Sequence, residues 1–170
     1  MIEDIENKSE CLTPAVRAEI DHWLKKYPPE QRQSAVLSAL HAAQDSNGGW
    51  LTQDLMDGVA DYIGMPRIAV YEVATFYTMF DLKPVGKHKV CVCTNISCML
   101  QGCKTITDHL KQRLGVGYNE TTADGKFTLR SVECLGACRT GPVMQVDKDY
   151  HENLTPEKVD AILAELEAKA

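Results

Sequence analysis

In the first half of the chain, apolar residues recur at helical spacing. Within "LTPAVRAEIDHWLKKYPP", Val16, Ile20, Trp23 and Leu24 fall on one stripe. Thr13 is placed as an N-cap with Pro14 at the first helical position, and Pro28 and Pro29 stop the helix. "EQRQSAVLSALHAAQDSNGG" predicts a second helix that ends at Asn47, Gly48 and Gly49. "LTQDLMDGVADYIG" predicts a third, capped by Thr52 and closed by Gly64. "MPRIAVYEVATFYTMF" predicts a fourth, with Pro66 near its start. Short connections make consecutive helices antiparallel neighbours in a small bundle.

After Phe80 the period changes. "DLKPVGKHK" carries Pro84 and Gly86 and reads as a linker. "HKVCVC" predicts a strand, "MLQGCKTITDHLKQRLG" a helix, and "KFTLRSVEC" a strand after the Asp124-Gly125 turn. "PVMQVD" and "DKDYHENL" predict a strand and a short partner. "TPEKVDAILAELEAKA" predicts a last helix, capped by Thr155, with Val159, Ile162, Leu163 and Leu166 as its apolar stripe. A strand–helix–strand unit implies parallel strands and a right-handed crossover. With the hairpin and final helix it outlines a thioredoxin-like domain. The chain is therefore read as α+β, with a helical bundle over residues 1–82 and the thioredoxin-like domain over residues 83–170.

The totals exclude several functions. Across 170 residues the formal net charge is −6, which disfavours a nucleic-acid or anionic-membrane surface. No apolar run approaches the roughly 20 residues of a membrane span, so no direct membrane insertion is expected. The start "MIEDIENKSE" is acidic and lacks the apolar core of a signal peptide. A cytoplasmic location is expected. There cysteine clusters bind metal or do redox chemistry more often than they form disulfides, and the count of seven is odd.

Four cysteines stand out by position. In "CTNISC", Cys93 closes the first strand and Cys98 opens the next helix, spaced C-x4-C. In "VECLGACRTGP", Cys134 closes the second strand and Cys138 lies in the loop after it, spaced C-x3-C. Adjacent parallel strands bring their carboxyl ends side by side, where open α/β sheets bind ligands. Four thiols suit structural zinc or a 2Fe–2S cluster equally by spacing. The small residues Gly102, Gly136, Ala137 and Gly141 allow backbone N–H groups to approach cluster sulfur, which leans toward iron–sulfur. Without a C-x-x-C, a dithiol oxidoreductase is disfavoured. Cys103 shares a helical face with Ile106, Leu110 and Leu114 and reads as core. Cys91 reads as core too, and Cys11 has no partner nearby in sequence.

"CTNISCMLQG" followed by "VECLGACRTGPVMQVD" resembles the thioredoxin-like 2Fe–2S subunit of NADH:quinone oxidoreductase, respiratory complex I. "LHAAQDSNGGWLTQDLMDGVADYIGMP" and "YEVATFYTMF" extend the resemblance through the bundle. It implies one 2Fe–2S cluster bound by Cys93, Cys98, Cys134 and Cys138, a pair on each iron, in a thioredoxin-like 2Fe–2S ferredoxin domain. It implies one-electron transfer beside the flavin- and NADH-binding subunit, with other peripheral-arm subunits, on the cytoplasmic side of the inner membrane. Enzymatic activity would belong to the complex, with no substrate chemistry from this chain alone. Equivalent subunits of NAD-linked hydrogenases and formate dehydrogenases share the motif pair. A zinc-stabilised interaction module is the reading from another class.

The remaining candidates read as structural. Tyr71, Phe76, Tyr77 and Phe80 form an aromatic run expected in the core or between domains, and the resemblance turns part of that helix toward the flavoprotein. His22, His41, His88, His109 and His151 lack metal-ligand spacing. No dinucleotide or phosphate-loop pattern occurs. Asp147 and Asp149 sit in a predicted turn and read as solvated.

Overall fold

A computed structural model describes residues 7–168; the acidic start at 1–6 and the last two residues lie outside the described residues. The chain divides into two compact units between Pro84 and Val85.

The first unit holds four helices: α1 (Pro14–Leu24), α2 (Val36–Ser46), α3 (Gln53–Ile63) and α4 (Arg67–Phe76). Thr13 and Thr52 cap as expected: their hydroxyls accept from the backbone N–H of Val16 at 3.3 Å and of Leu55 at 3.1 Å. Each cap satisfies a donor that the first helical turn leaves without an intrahelical partner. Ile20, Leu40, Val59, Ile63 and Val70 pack into one buried core. The second predicted helix begins instead as a 3-10 segment, Pro29–Ala35, with Gln31 outside helical geometry. Its polar residues bury nothing before Ala35, so no apolar face holds that stretch in an α-helix.

Gln44, buried within α2, clips the segment that leaves this unit. Its side-chain amide donates to the Met79 carbonyl at 3.2 Å and accepts from the Asp81 N–H at 2.8 Å. Gln44→Leu keeps the volume and strands both backbone groups. It is expected to lower unfolding stability by about 1–3 kcal/mol, as measured by denaturant titration; an unchanged midpoint would show that water replaces the clip.

The second unit is built on a five-stranded sheet in the order β2-β3-β1-β4-β5. The strands are β1 (His88–Cys93), β2 (Glu120–Thr121), β3 (Phe127–Val132), β4 (Met144–Val146) and β5 (Asp149–His151). β1 is central, parallel to β3 and antiparallel to β4. Val90, Val92, Phe127, Leu129, Met144 and Val146 form one buried cluster with Ile106, Leu110, Val159 and Leu163. The last four come from α6 (Cys103–Leu114) and α7 (Pro156–Ala168). Strand alternation therefore turns Cys91 and Cys93 away from the side where Val90 and Val92 meet these helices.

Several expectations are corrected. The helix predicted from Met99 is two helices, α5 (Ile96–Leu100) and α6, broken at Gly102 with φ 90°. Only glycine adopts that left-handed turn without strain. Cys134 does not close its strand: β3 ends at Val132, and Cys134 lies two residues beyond. Cys91 is half-buried rather than core. Phe76 is 77% exposed, whereas Phe80 is buried and Tyr71 packs partly against the first core. Asp147 is not merely solvated: it accepts from the Lys89 N–H at 2.9 Å and pairs with His88 Nδ1 at 2.7 Å.

Candidate metal centre

The parallel register sets Cys93 opposite Val132, so β1 and β3 end at the same edge of the sheet. Cys93 is fixed on both sides of β1. Its N–H donates to the Val143 carbonyl at 3.1 Å, and the next residue, Thr94, donates to the Val132 carbonyl at 3.0 Å. Asn95 then caps α5 through its side chain, which accepts from the Ile96 N–H at 2.7 Å. This short turn brings Cys98 back over the strand end. Cys93 and Cys98 are each 1% exposed and pack with Cys103 and Val143 in a small buried cluster.

The second pair lies on the loop after β3. Cys134 and Cys138 are exposed, Cys138 opening a 3-10 turn, Cys138–Thr140. The loop reaches the first pair at two points and the neighbouring Gln101 at a third. Cys93 Sγ donates to the Glu133 carbonyl at 3.7 Å. Gln101 Nε2 donates to the Cys138 carbonyl at 2.8 Å. A Cβ on Gly141 would stand 3.3 Å from Cys98 Sγ, closer than side chains ordinarily approach, so the loop lies tight against the buried thiol. The Gly136 N–H donates to Cys134 Sγ at 3.3 Å, the kind of contact that stabilises thiolate charge.

Burial, followed by the hydrogen-bonded neighbour Cys93, pushes the Cys98 thiol up to about 11. Burial and then Cys93 also raise the Cys103 thiol. Metal binding takes the thiolate form and releases the proton.

The structure thus brings Cys93 and Cys98 together inside the fold and leaves Cys134 and Cys138 exposed on the loop after β3. Among the described residues, no three His, Cys, Asp or Glu side chains converge on one point suited to a single ion. Of the four thiols, Cys93 and Cys98 lie together in the buried cluster. A two-iron cluster takes four thiolates as two pairs, and this donor set fits it. Cys103 joins the inner pair as a packed thiol, as its helical stripe indicates. Sequence reasoning misses Gln101. Its position one residue before the Gly102 break is the only signal, and the apolar spacing hides the break itself.

A central strand flanked by parallel and antiparallel partners, with cysteines at its carboxyl edge, defines a class. The chain belongs to the thioredoxin-like [2Fe–2S] ferredoxin family, which it matches over residues 20–167. Its cofactor is accordingly a [2Fe–2S] cluster, and the zinc module is set aside. The relatives are more particular. The chain is 51% identical to the E-type subunit of the NADH-quinone oxidoreductase of Rickettsia bellii (strain RML369-C) over 143 residues, 84% of this chain and 86% of that one. It is 45% identical to a second-copy E-type subunit of the NADH-quinone oxidoreductase of Rhizobium meliloti (strain 1021) over 153 residues, 90% of this chain and 89% of that one. A solved NAD+-reducing [NiFe]-hydrogenase in the H2-reduced state shares the fold with a TM-score of 0.69 at 18% identity. That likeness covers 79% of this chain, which spans 22% of the hydrogenase chain.

Proposed function

We propose that this chain is the electron-transfer subunit of an NADH:quinone oxidoreductase, with Cys93, Cys98, Cys134 and Cys138 holding its cluster. The observation that carries the reading is Cys93 at the β1–β3 edge with Cys98 packed against it, in a chain about half identical to NADH-quinone oxidoreductase subunits of the E type. Bound there, a [2Fe–2S] cluster supplies one-electron acceptance and release. The chain's own residues hold it. Buried Cys93 and Cys98 and exposed Cys134 and Cys138 would hold it, and the Gly136 N–H donates to the Cys134 sulfur. The hydrogenase or formate dehydrogenase setting is the second reading. Its structural neighbour shares the fold alone, so the more similar quinone-reductase relatives favour the first.

The flavin- and NADH-binding subunit is the proposed partner, with other peripheral-arm subunits around it, on the cytoplasmic side of the inner membrane. Among the described residues no helix is long and apolar enough to cross a membrane. Exposed apolar residues support a docked state: Ile68 and Phe76 on α4, and Ile96, Met99 and Leu100 on α5 beside Cys98. The test is reduction of the reconstituted chain by NADH. Reduction is expected only when the flavoprotein subunit is added; equal reduction without it would overturn the reading.

An all-thiolate cluster carries net negative charge, and reduction adds more, in a chain of formal charge −6. The reduction potential is expected near the plant-type value of roughly −400 mV, well below Rieske centres with two histidine ligands. An EPR-monitored titration giving a potential above zero would contradict four cysteine ligands.

A further inference from the structure

We propose that Gln101 is a positioning residue for the cluster, clamping the loop that carries Cys138 to the turn that carries Cys98. The proposal rests on the four-thiolate reading above and adds a residue which that reading does not use.

Gln101 follows α5 directly, and its backbone N–H donates to the Cys98 carbonyl at 3.2 Å. Its side-chain nitrogen donates to the Ser97 carbonyl at 2.9 Å and to the Cys138 carbonyl at 2.8 Å. Both partners are acceptors, so only the NH2 end of the amide can face them, and its two hydrogens serve the two carbonyls. One amide group thereby joins two loops 37 residues apart in sequence, each carrying one member of a different cysteine pair. The bond to Ser97 matters as much as the bond to Cys138. It holds the side chain back along its own helical turn, so the second N–H points across the gap rather than into solvent.

Gly141 completes the arrangement from the other side. A Cβ there would stand 3.0 Å from Gln101 Nε2 and 3.2 Å from its Cδ. The loop therefore lies tight against the amide at residue 141. Elsewhere the loop is tied away from α5, by Asn153 N–H to the Thr140 carbonyl at 2.7 Å and by Leu154 N–H to the Pro142 carbonyl at 3.0 Å. Those bonds hold its far end. The Gln101 contact holds the part next to Cys138, whose side chain is exposed. Without it, Cys138 keeps its connection to the fold and loses its tie to the turn that carries Cys98.

The test uses the full-length chain reconstituted with its cluster, and Gln101→Ala, Gln101→Glu and Gln101→Lys. All three are expected to load two irons and two sulfides, since no ligand is removed. In the Ala and Glu variants, loss of iron to an excess of chelator is expected to be about fivefold faster, the worth of one ordinary hydrogen bond. Lysine keeps a long side chain ending in donors and is expected to restore slow release. Native release rates in the Ala and Glu variants would overturn the role, as would a Lys variant as leaky as Ala. Hydrogen exchange of the sheet amides is followed in parallel. Faster exchange in β1 and β3 would assign Gln101 to general support of the fold, which also overturns it. Failure of the ligand reading is seen separately: Cys138→Ser with full iron content and a native EPR spectrum would remove Cys138 from the ligand set whatever Gln101 does.

Discussion

Replacing Cys93, Cys98, Cys134 or Cys138 by alanine is expected to abolish the visible absorbance of the reconstituted protein. On the proposed ligand set, each substitution would open one iron to water and leave three thiolates for two metal ions. For Cys93 and Cys98 the loss is compounded, because both lie inside the fold and alanine leaves a small cavity beside the metal. Cys11→Ala, Cys91→Ala and Cys103→Ala are expected to retain the spectrum. Cys103→Ala is the sharpest control, since that thiol packs in the same buried cluster as the inner pair. Its cost is expected in stability, about 1 kcal/mol or more, with iron content unchanged. Loss of the cluster in Cys103→Ala together with its retention in Cys98→Ala would overturn the ligand assignment.

A fragment beginning at Pro84 is expected to bind its cluster and to fail to co-purify with the flavoprotein subunit. The first part follows from the two buried cores, which share no residue: Ile20, Leu40 and Val70 belong to one, Val90, Leu129 and Leu163 to the other. All four candidate ligands, and every contact described among them, lie after Pro84. The second part follows from the bundle having no ligand of its own and carrying exposed Ile68 and Phe76. A fragment that binds the flavoprotein as tightly as the full chain would assign the bundle to stability alone.

Much of this is legible because local chemistry and tertiary structure agree. Thr13 and Thr52 cap where a hydroxyl before an apolar stripe is expected to cap, and the alternation of "HKVCVC" gives β1 its burial. The failures have physical causes. Gly102 sits inside a stretch whose apolar spacing continues on both sides, and a helix interior tolerates one glycine at about 1 kcal/mol, so composition does not show the break. β2 is two residues long, too short for any period to register. Aromatic character alone puts Phe76 inside, but its angular position does not. Six residues from buried Val70, it lies about 240° around the helix, off the stripe that Val70 and Ala74 define. At the site, spacing identifies which cysteines pair along the chain. It carries no information on which pair is buried, because that depends on how α5 folds back over the strand.

The alternation along β1 has a consequence for changes in length. Val90 and Val92 seat the strand in the core of the second unit, and Cys93 is the next residue. Deleting or inserting one residue between His88 and Val92 would force a choice. Keeping the valines buried shifts the cysteine along the edge, while keeping the cysteine at the edge turns a valine outward. The strand acts as a ruler one residue long between core and metal. A substitution at Val90 or Val92 costs packing, whereas a change in the strand's length is expected to disturb folding or cluster binding.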